Sequence, residues 1–463
     1  MSVPSNSDPA ELPQLQERYE RSAAGPEKLA AGLVLAASLA EHARYVEAIH
    51  ILNDVTAQAA GPGERAKVLR QLGWVHLRLS EYDRAYQLLG EALALLSVRN
   101  TLDLFQVYYD IAWMFYRQGY LENSRNYCDG AQLVLQNLVD APPEGAERAR
   151  IELLHIKALI DAAAGEHDAA AVILQTEIEA HRRSGDNYRL AGAYNKLASV
   201  SLARGDVAAA LANQQQAHEV AQRCDEGFRL ALSHKNYGDI FFIIGDLDRS
   251  LEHYQRSLQL AAAIHNRLGE VFSVGGIAKV LCARGECAQA LEQSTKALAT
   301  AHDLDNKDRE TCLLVDLAEL HNRCQHPDDA LACLERAERI EKARGLGVSP
   351  RHVLARARAL LAGGAPQAVE QACAAVGGLL ASPIKIDDEE MISVPELQID
   401  AHALMAQALL RQGQRGPAAE EAAKAAALVD AFCARLDEPL RPLFRARPQI
   451  AAVAELQRQL AAA

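Results

Sequence analysis

The chain has 463 residues, 49% of them hydrophobic and only 5% aromatic, with alanine and leucine in excess, a profile that suits close-packed helices better than sheets. Its formal net charge of -13 excludes general affinity for nucleic acid or an anionic membrane, both of which need a cationic surface. Nine cysteines, none of them in a C-x-x-C pair, read as reduced core thiols and argue against a disulfide framework.

Residues 1–26 form a polar, proline-containing N-terminal segment without the basic region and apolar stretch of a secretory signal. No later segment approaches eighteen uninterrupted apolar residues, so a cytoplasmic location is expected. From residue 27 to 345 the chain repeats itself. Gly165, Gly205, Gly245 and Gly285 recur in one phase, and Ala170, Ala210, Ser250, Ala290 and Ala330 in another. A third phase is Ala158, Ala198, Gly238, Ala278 and Ala318, and a fourth is Ala217, Ser257, Ala297 and Ala337. The small phases predict places where two helices approach with little side chain between them. The glycine phase predicts a left-handed turn that ends one helix, and the acid after it (Glu166, Asp206, Asp246, Glu286) predicts an N-cap or first-turn charge for the next. Ser349-Pro350 reads as an N-cap followed by the first helical residue. Extended outward, the frame gives about ten helix-turn-helix units. Those in residues 346–436 are degenerate, with an irregular insertion at 382–396, and residues 437–463 read as a capping helix or tail.

The stretches LGWVHLRLSEYDRAYQLLGEAL (Leu72 to Leu93) and YGDIFFIIGDLDRSLEHYQRSL (Tyr237 to Leu258) resemble tetratricopeptide (TPR) units. The long period is similar to the long-helix class of bacterial regulators such as the maltose-regulon activator, of animal spindle-orientation adaptors, and of the sensory half of TPR-containing diguanylate cyclases. DEPLRPLFRARPQ (Asp437 to Gln449) resembles the tail that ends TPR regions in large bacterial signalling proteins. The resemblance implies an all-α, right-handed superhelical solenoid whose inner groove is lined by one face of each unit's first helix. The output domains of those relatives have no counterpart here: there is no phosphate-binding G-x-x-x-x-G-K-[ST] loop and no GGDEF-like segment.

On the groove face so implied, the second and third units display Arg70, Trp74, Arg78, Tyr109, Trp113, Tyr116 and Arg117, a mixture that interfaces favour. Both tryptophans of the chain fall at the same phase, where packing between repeats competes with ligand contact as their role. Further on come Asn195, Lys196, Lys235, Asn236, Asp239 and Lys279, then Glu319 and Asn322. Polar residues at this spacing also mark an ordinary solvated face. The Lys and Asn pattern is similar to the carboxylate clamp of chaperone-binding TPR domains, but Asp239 stands where an asparagine is expected. Cys282, Cys287, Cys312, Cys324 and Cys333 with His321 and His326 lack the close pairs of zinc sites, so no metal is expected, nor any cofactor or catalytic constellation. The expectation is a non-enzymatic protein- or peptide-binding adaptor or scaffold in bacterial signalling or complex assembly, with an acidic partner segment and no direct nucleic-acid or membrane contact. The alternative is a ligand- or peptide-responsive regulator of a separate output protein.

Overall fold

The computed structural model describes residues 12–461 apart from 42, 43, 80, 98, 99, 140, 225, 226, 305, 345 and 382–390. The described residues hold twenty-three α-helices and no strand, and none of these helices is long and apolar enough to cross a membrane. The chain divides into two compact units, Met1–Ile160 and Asp161–Ala463.

The first unit contains α1 (Leu12–Arg21), α2 (Pro26–Glu41), α3 (Tyr45–Thr56), α4 (Pro62–Arg78), α5 (Tyr82–Leu96), α6 (Leu102–Arg117), α7 (Leu121–Gln136) and most of α8 (Pro143–Ala163). Helices α2 with α3, α4 with α5 and α6 with α7 pack as hairpins over one core that includes Leu35, Leu52, Leu89 and Ile111. The close approach has the expected cause: a side chain on Gly73 would put its Cβ 2.7 Å from Leu89 of the next helix. The N-terminal segment adds a feature its polar composition conceals. Helix α1 buries Leu12 and Tyr19, and the Tyr19 hydroxyl donates to the Asp54 carboxylate.

The second unit continues the alternation with α9 (His167–Ser184), α10 (Asn187–Ala203), α11 (Val207–Arg223), α12 (Gly227–Ile244), α13 (Leu247–Ala263), α14 (Arg267–Ala283), α15 (Cys287–Asp303), α16 (Lys307–Arg323) and α17 (Pro327–Ala343). Then follow α18 (Pro350–Gly363), α19 (Pro366–Leu380), α20 (Val394–Arg411), α21 (Arg415–Ala434), one 3₁₀ turn (Glu438–Leu440), α22 (Arg441–Ala446) and α23 (Pro448–Ala461). Gly165, Gly205, Gly245 and Gly285 all adopt positive φ, from 73° to 92°, as their phase predicts. Gln325 holds the same turn at φ 64° without being glycine. The acids that follow divide by length. Asp206 and Asp246 accept hydrogen bonds from Ala209 N and Arg249 N, whereas the longer Glu166 and Glu286 make no side-chain cap. Ser349 caps α18 as expected, and Ser393, at the end of the irregular insertion, caps α20. Residues 382–390 of that insertion lie outside the described residues.

The C-terminal helices do not simply extend the stack. Met391, Ile399, Phe432, Phe444 and Ile450 share a core with Ala198 and Leu202 of α10 and Ile240, Phe241 and Ile244 of α12. Arg447 donates to the Ile243 carbonyl at 2.7 Å, and Arg435 donates to the Arg204 carbonyl at 2.7 Å. The last repeats therefore fold back on the turns that end α10 and α12. This contact also makes two repeat glycines tight: a Cβ on Gly205 would lie 2.9 Å from Pro395, and one on Gly245 would lie 2.6 Å from the Leu443 carbonyl oxygen.

Candidate functional site

In the first unit, α4 and α6 present Arg70, Trp74, Arg78, Tyr109, Trp113, Tyr116 and Arg117. Trp74 and Trp113 are both part-buried against the unit's core, and Trp113 lies 5.6 Å from the buried Tyr116 ring. Each indole is thus held by packing and keeps part of its surface open. Arg70 is fixed by Gln106 at 2.9 Å and Asp110 at 3.2 Å, while Arg78 is exposed. Burial raises the Asp110 carboxyl to about 6, opposed by Arg70 and assisted by Glu152.

An aromatic cluster on α5 to α7 escaped the sequence reading. Phe115 lies 5.6 Å from Tyr86, 6.3 Å from Tyr120 and 5.5 Å from Tyr127, and the Tyr86 and Tyr127 hydroxyls are 3.3 Å apart. Tyr86 and Tyr120 are about half exposed, at 46% and 51%. These residues occupy different phases of neighbouring helices, so no single-helix pattern brings them together.

In the second unit the polar residues singled out from sequence are engaged inside the fold. Asn195 accepts from Gln214 at 3.0 Å and from Asn236 at 3.3 Å, and Asn322 donates to the Ala355 carbonyl at 2.9 Å. Lys196 is part-buried and has a partner of its own. Lys235 pairs with Asp239 at 2.8 Å, and the Tyr254 hydroxyl donates to the same carboxylate at 2.5 Å. A guest carboxylate at this point would meet an anion, so the clamp-like spacing does not make a clamp.

Lys235, Asp239, Lys279 and Glu319 line one cavity of about 160 Å³. Its walls are α12, α14, α16 and α18 with Tyr254 of α13 on the repeat side, and residues 391–400 with Arg447, Gln449 and Ile450 on the other. The chain's own C-terminal part therefore stands where the sequence reading expected open groove. Charges in the cavity pair closely. Lys279 and Arg351 share Asp316 at 3.2 and 2.5 Å, Arg358 bridges Glu319 and Asp400 at 2.5 Å each, and Arg447 pairs with Glu396. Arg309 stacks on Phe272, 4.2 Å from the ring centre.

Two groups of candidate ligand atoms occur among the described residues, and Cys282 of the first also lines this cavity. The thiols of Cys282, Cys287 and Cys324 lie within 4.8 Å of one another, as do ligand atoms of His321, His326 and Asp329. The expectation of no metal rested on absent close pairs, whereas the fold brings Cys324 to the α14–α15 turn of the preceding repeat and gathers His321, His326 and Asp329 around the one turn between α16 and α17. Burial pushes the Cys282 thiol up and raises Cys324 to about 12, so both are protonated at neutral pH. On α11 to α13, the His234 and His253 Nδ1 atoms are 2.9 Å apart, and His218 lies 5.1 Å from His234 ring to ring.

Residues 189–263, spanning α10 to α13, match a tetratricopeptide-repeat family model. A search of curated proteins finds no match. Among solved structures, a Rap protein complexed with competence and sporulation factor aligns over 81% of this chain and 100% of its own, at 12% identity and a TM-score of 0.54. NprR in complex with its cognate peptide NprX aligns over 72% and 90%, at 12% identity and a TM-score of 0.49. A signal-transduction ATPase with a tetratricopeptide-repeat sensor from Pyrococcus horikoshii aligns over 73% and 53%, at 13% identity and a TM-score of 0.47. The first of these likenesses concerns the fold alone: the chain shares an all-α helical-repeat architecture with it, and the hairpins of residues 189–263 are tetratricopeptide-type repeats.

Proposed function

We propose that the chain is a protein- or peptide-binding adaptor and that its docking surface is the α4–α6 face of the first unit. The observation that carries this reading is the placement of both tryptophans, part-buried and core-anchored, on successive repeat helices with arginines one turn away. Indoles held in this way lose little freedom on binding, which is the condition for an interface anchor. The exposed Arg78 and the fixed Arg70 favour an acidic segment with an apolar anchor. The Rap protein and NprR structures hold, by their descriptions, a factor and a peptide, and a peptide ligand is the corresponding proposal here.

Both tryptophans lie on the proposed face, so the indole emission of the intact chain reports directly on it. Peptides selected from a random display library should be acidic and should shift that emission on titration. Trp74→Ala with Trp113→Ala should weaken binding at every salt concentration, since hot-spot truncation costs about 2 kcal/mol or more. Arg78→Glu should weaken it mainly at low ionic strength. Selected peptides that bind the double mutant as they bind wild type would move the site off this face.

A further inference from the structure

Among the described residues that line the cavity of the second unit, one cation has no ion pair of its own. Every carboxylate in its wall is already engaged: Asp239 by Lys235, Asp316 by Lys279 and Arg351, Glu319 and Asp400 by Arg358, and Glu396 by Arg447. Arg323, at the end of α16, also faces this cavity; it is part-buried and makes no hydrogen bond or ion pair with any described residue. The carboxylate that acts on it is Glu319, which already holds Arg358 at 2.5 Å, and two further guanidinium groups, Arg358 and Arg447, act on it with like charge. The neighbouring Cys282 thiol, kept protonated by burial, adds no negative charge. Burial pulls the Arg323 pKa below its ordinary value, but an arginine stays ionised in a protein. A part-buried guanidinium without an ion pair of its own, facing a cavity whose carboxylates are already engaged, gains from a charge-assisted hydrogen bond to an anion that enters the space.

We infer that the cavity is a binding site for a compact organic anion, a carboxylate or phosphate on a short apolar body, held through Arg323. Size sets the limit, because a cavity of about 150 Å³ accommodates a molecule as large as benzene, and the volume here is about 160 Å³. Phe242, Leu354 and Ile450 in the same wall offer contacts for the apolar part. Because α16 and the returning C-terminal segment both border the space, a bound anion ties the repeat stack to the helices folded back on it. The site lies in the other unit from the proposed docking face and does not depend on that reading.

The test is thermal unfolding of the intact chain with inorganic phosphate, butyrate or benzoate, each against sodium chloride at equal ionic strength. At least one of the three should raise Tm in a saturable way beyond the chloride control, and the preferred one separates a phosphate from a carboxylate source. Arg323→Gln should lose the saturable rise, and Arg323→Met, which removes the unpaired charge, should melt no lower than wild type in chloride alone. Indifference of wild type to all three probes overturns the proposal, even if neither variant folds. An undiminished response in Arg323→Gln overturns it as well. So does protection that appears only after Asp387, Asp388, Glu389 and Glu390 are changed to Asn and Gln, because the chain itself then supplies the anion.

Discussion

Two glycines that are equivalent in the repeat carry different loads. Gly285 adopts φ 86° and a Cβ there would meet nothing within 4 Å, so Gly285→Ala adds only left-handed backbone strain, about 1 kcal/mol. Gly245 adopts φ 92° and its added Cβ would also lie 2.6 Å from the Leu443 carbonyl oxygen, a rigid backbone atom. Urea unfolding should therefore show Gly245→Ala to be clearly more destabilising than Gly285→Ala, and equal losses would mean that the C-terminal helices do not press on this turn. The forty-residue spacing made the left-handed role of both glycines readable in advance. It carried no sign of Leu443, which is about two hundred residues away and obeys no repeat. Gln325 shows the converse, since it keeps the turn at φ 64° while its residue type hides it.

At the level of helices, repeat phase reports contacts between neighbours but not which polar groups those contacts bury. The small phase at Gly238 has its cause in the buried Tyr254 ring, which packs against it, while Gly276, outside every phase read from the sequence, admits the same ring. The histidines that join α11, α12 and α13 were not readable, because His218, His234 and His253 fall at unrelated phases. Their packing has a pH consequence. Burial, then the adjacent His253 and His218, lowers His234 to about 4 from an ordinary 6.5. The unfolded chain therefore binds the proton more readily, so this contribution to stability is complete above about pH 6.5 and is lost as pH falls toward 4. Glu341, raised by burial to about 7, and Asp110, raised to about 6, act in the opposite sense over the same range. The difference between two proteins isolates the histidine: between pH 7.5 and 5, wild type should lose more Tm than His234→Gln. Parallel Tm curves for the two would remove His234 from the account.

For the second unit as a whole, stability depends on a contact between its ends as well as on neighbour-to-neighbour stacking. A linear array of repeats frays from its terminus, each unit held only by the one before it. Here Phe444 of α22 is fully buried, stacked on Phe432 at 4.4 Å, in one core with Ile240, Phe241 and Ile244 of α12, and the neighbouring Arg447 holds the Ile243 carbonyl. Residues 437–463 read from the sequence as a capping helix or tail, and the distant surface that α22 packs on lies beyond any local pattern. Lys235, Asp239, Lys279 and Glu319, expected from their phase on a groove face, line the cavity that the returning residues cover, and phase carries no sign of that covering. If the returning helices hold α10 and α12 shut, Phe444→Ala should cost about 3–5 kcal/mol in global stability, as truncation of a buried aromatic does. It should also raise amide exchange at the turns around Gly205 and Gly245, where Arg435 and Leu443 now lie, more than at the turn around Gly285. Exchange that rises equally at all three turns would show the second unit unfolding as one body, and exchange confined to α22 and α23 would show that the C-terminal helices ride on the repeats without bracing them.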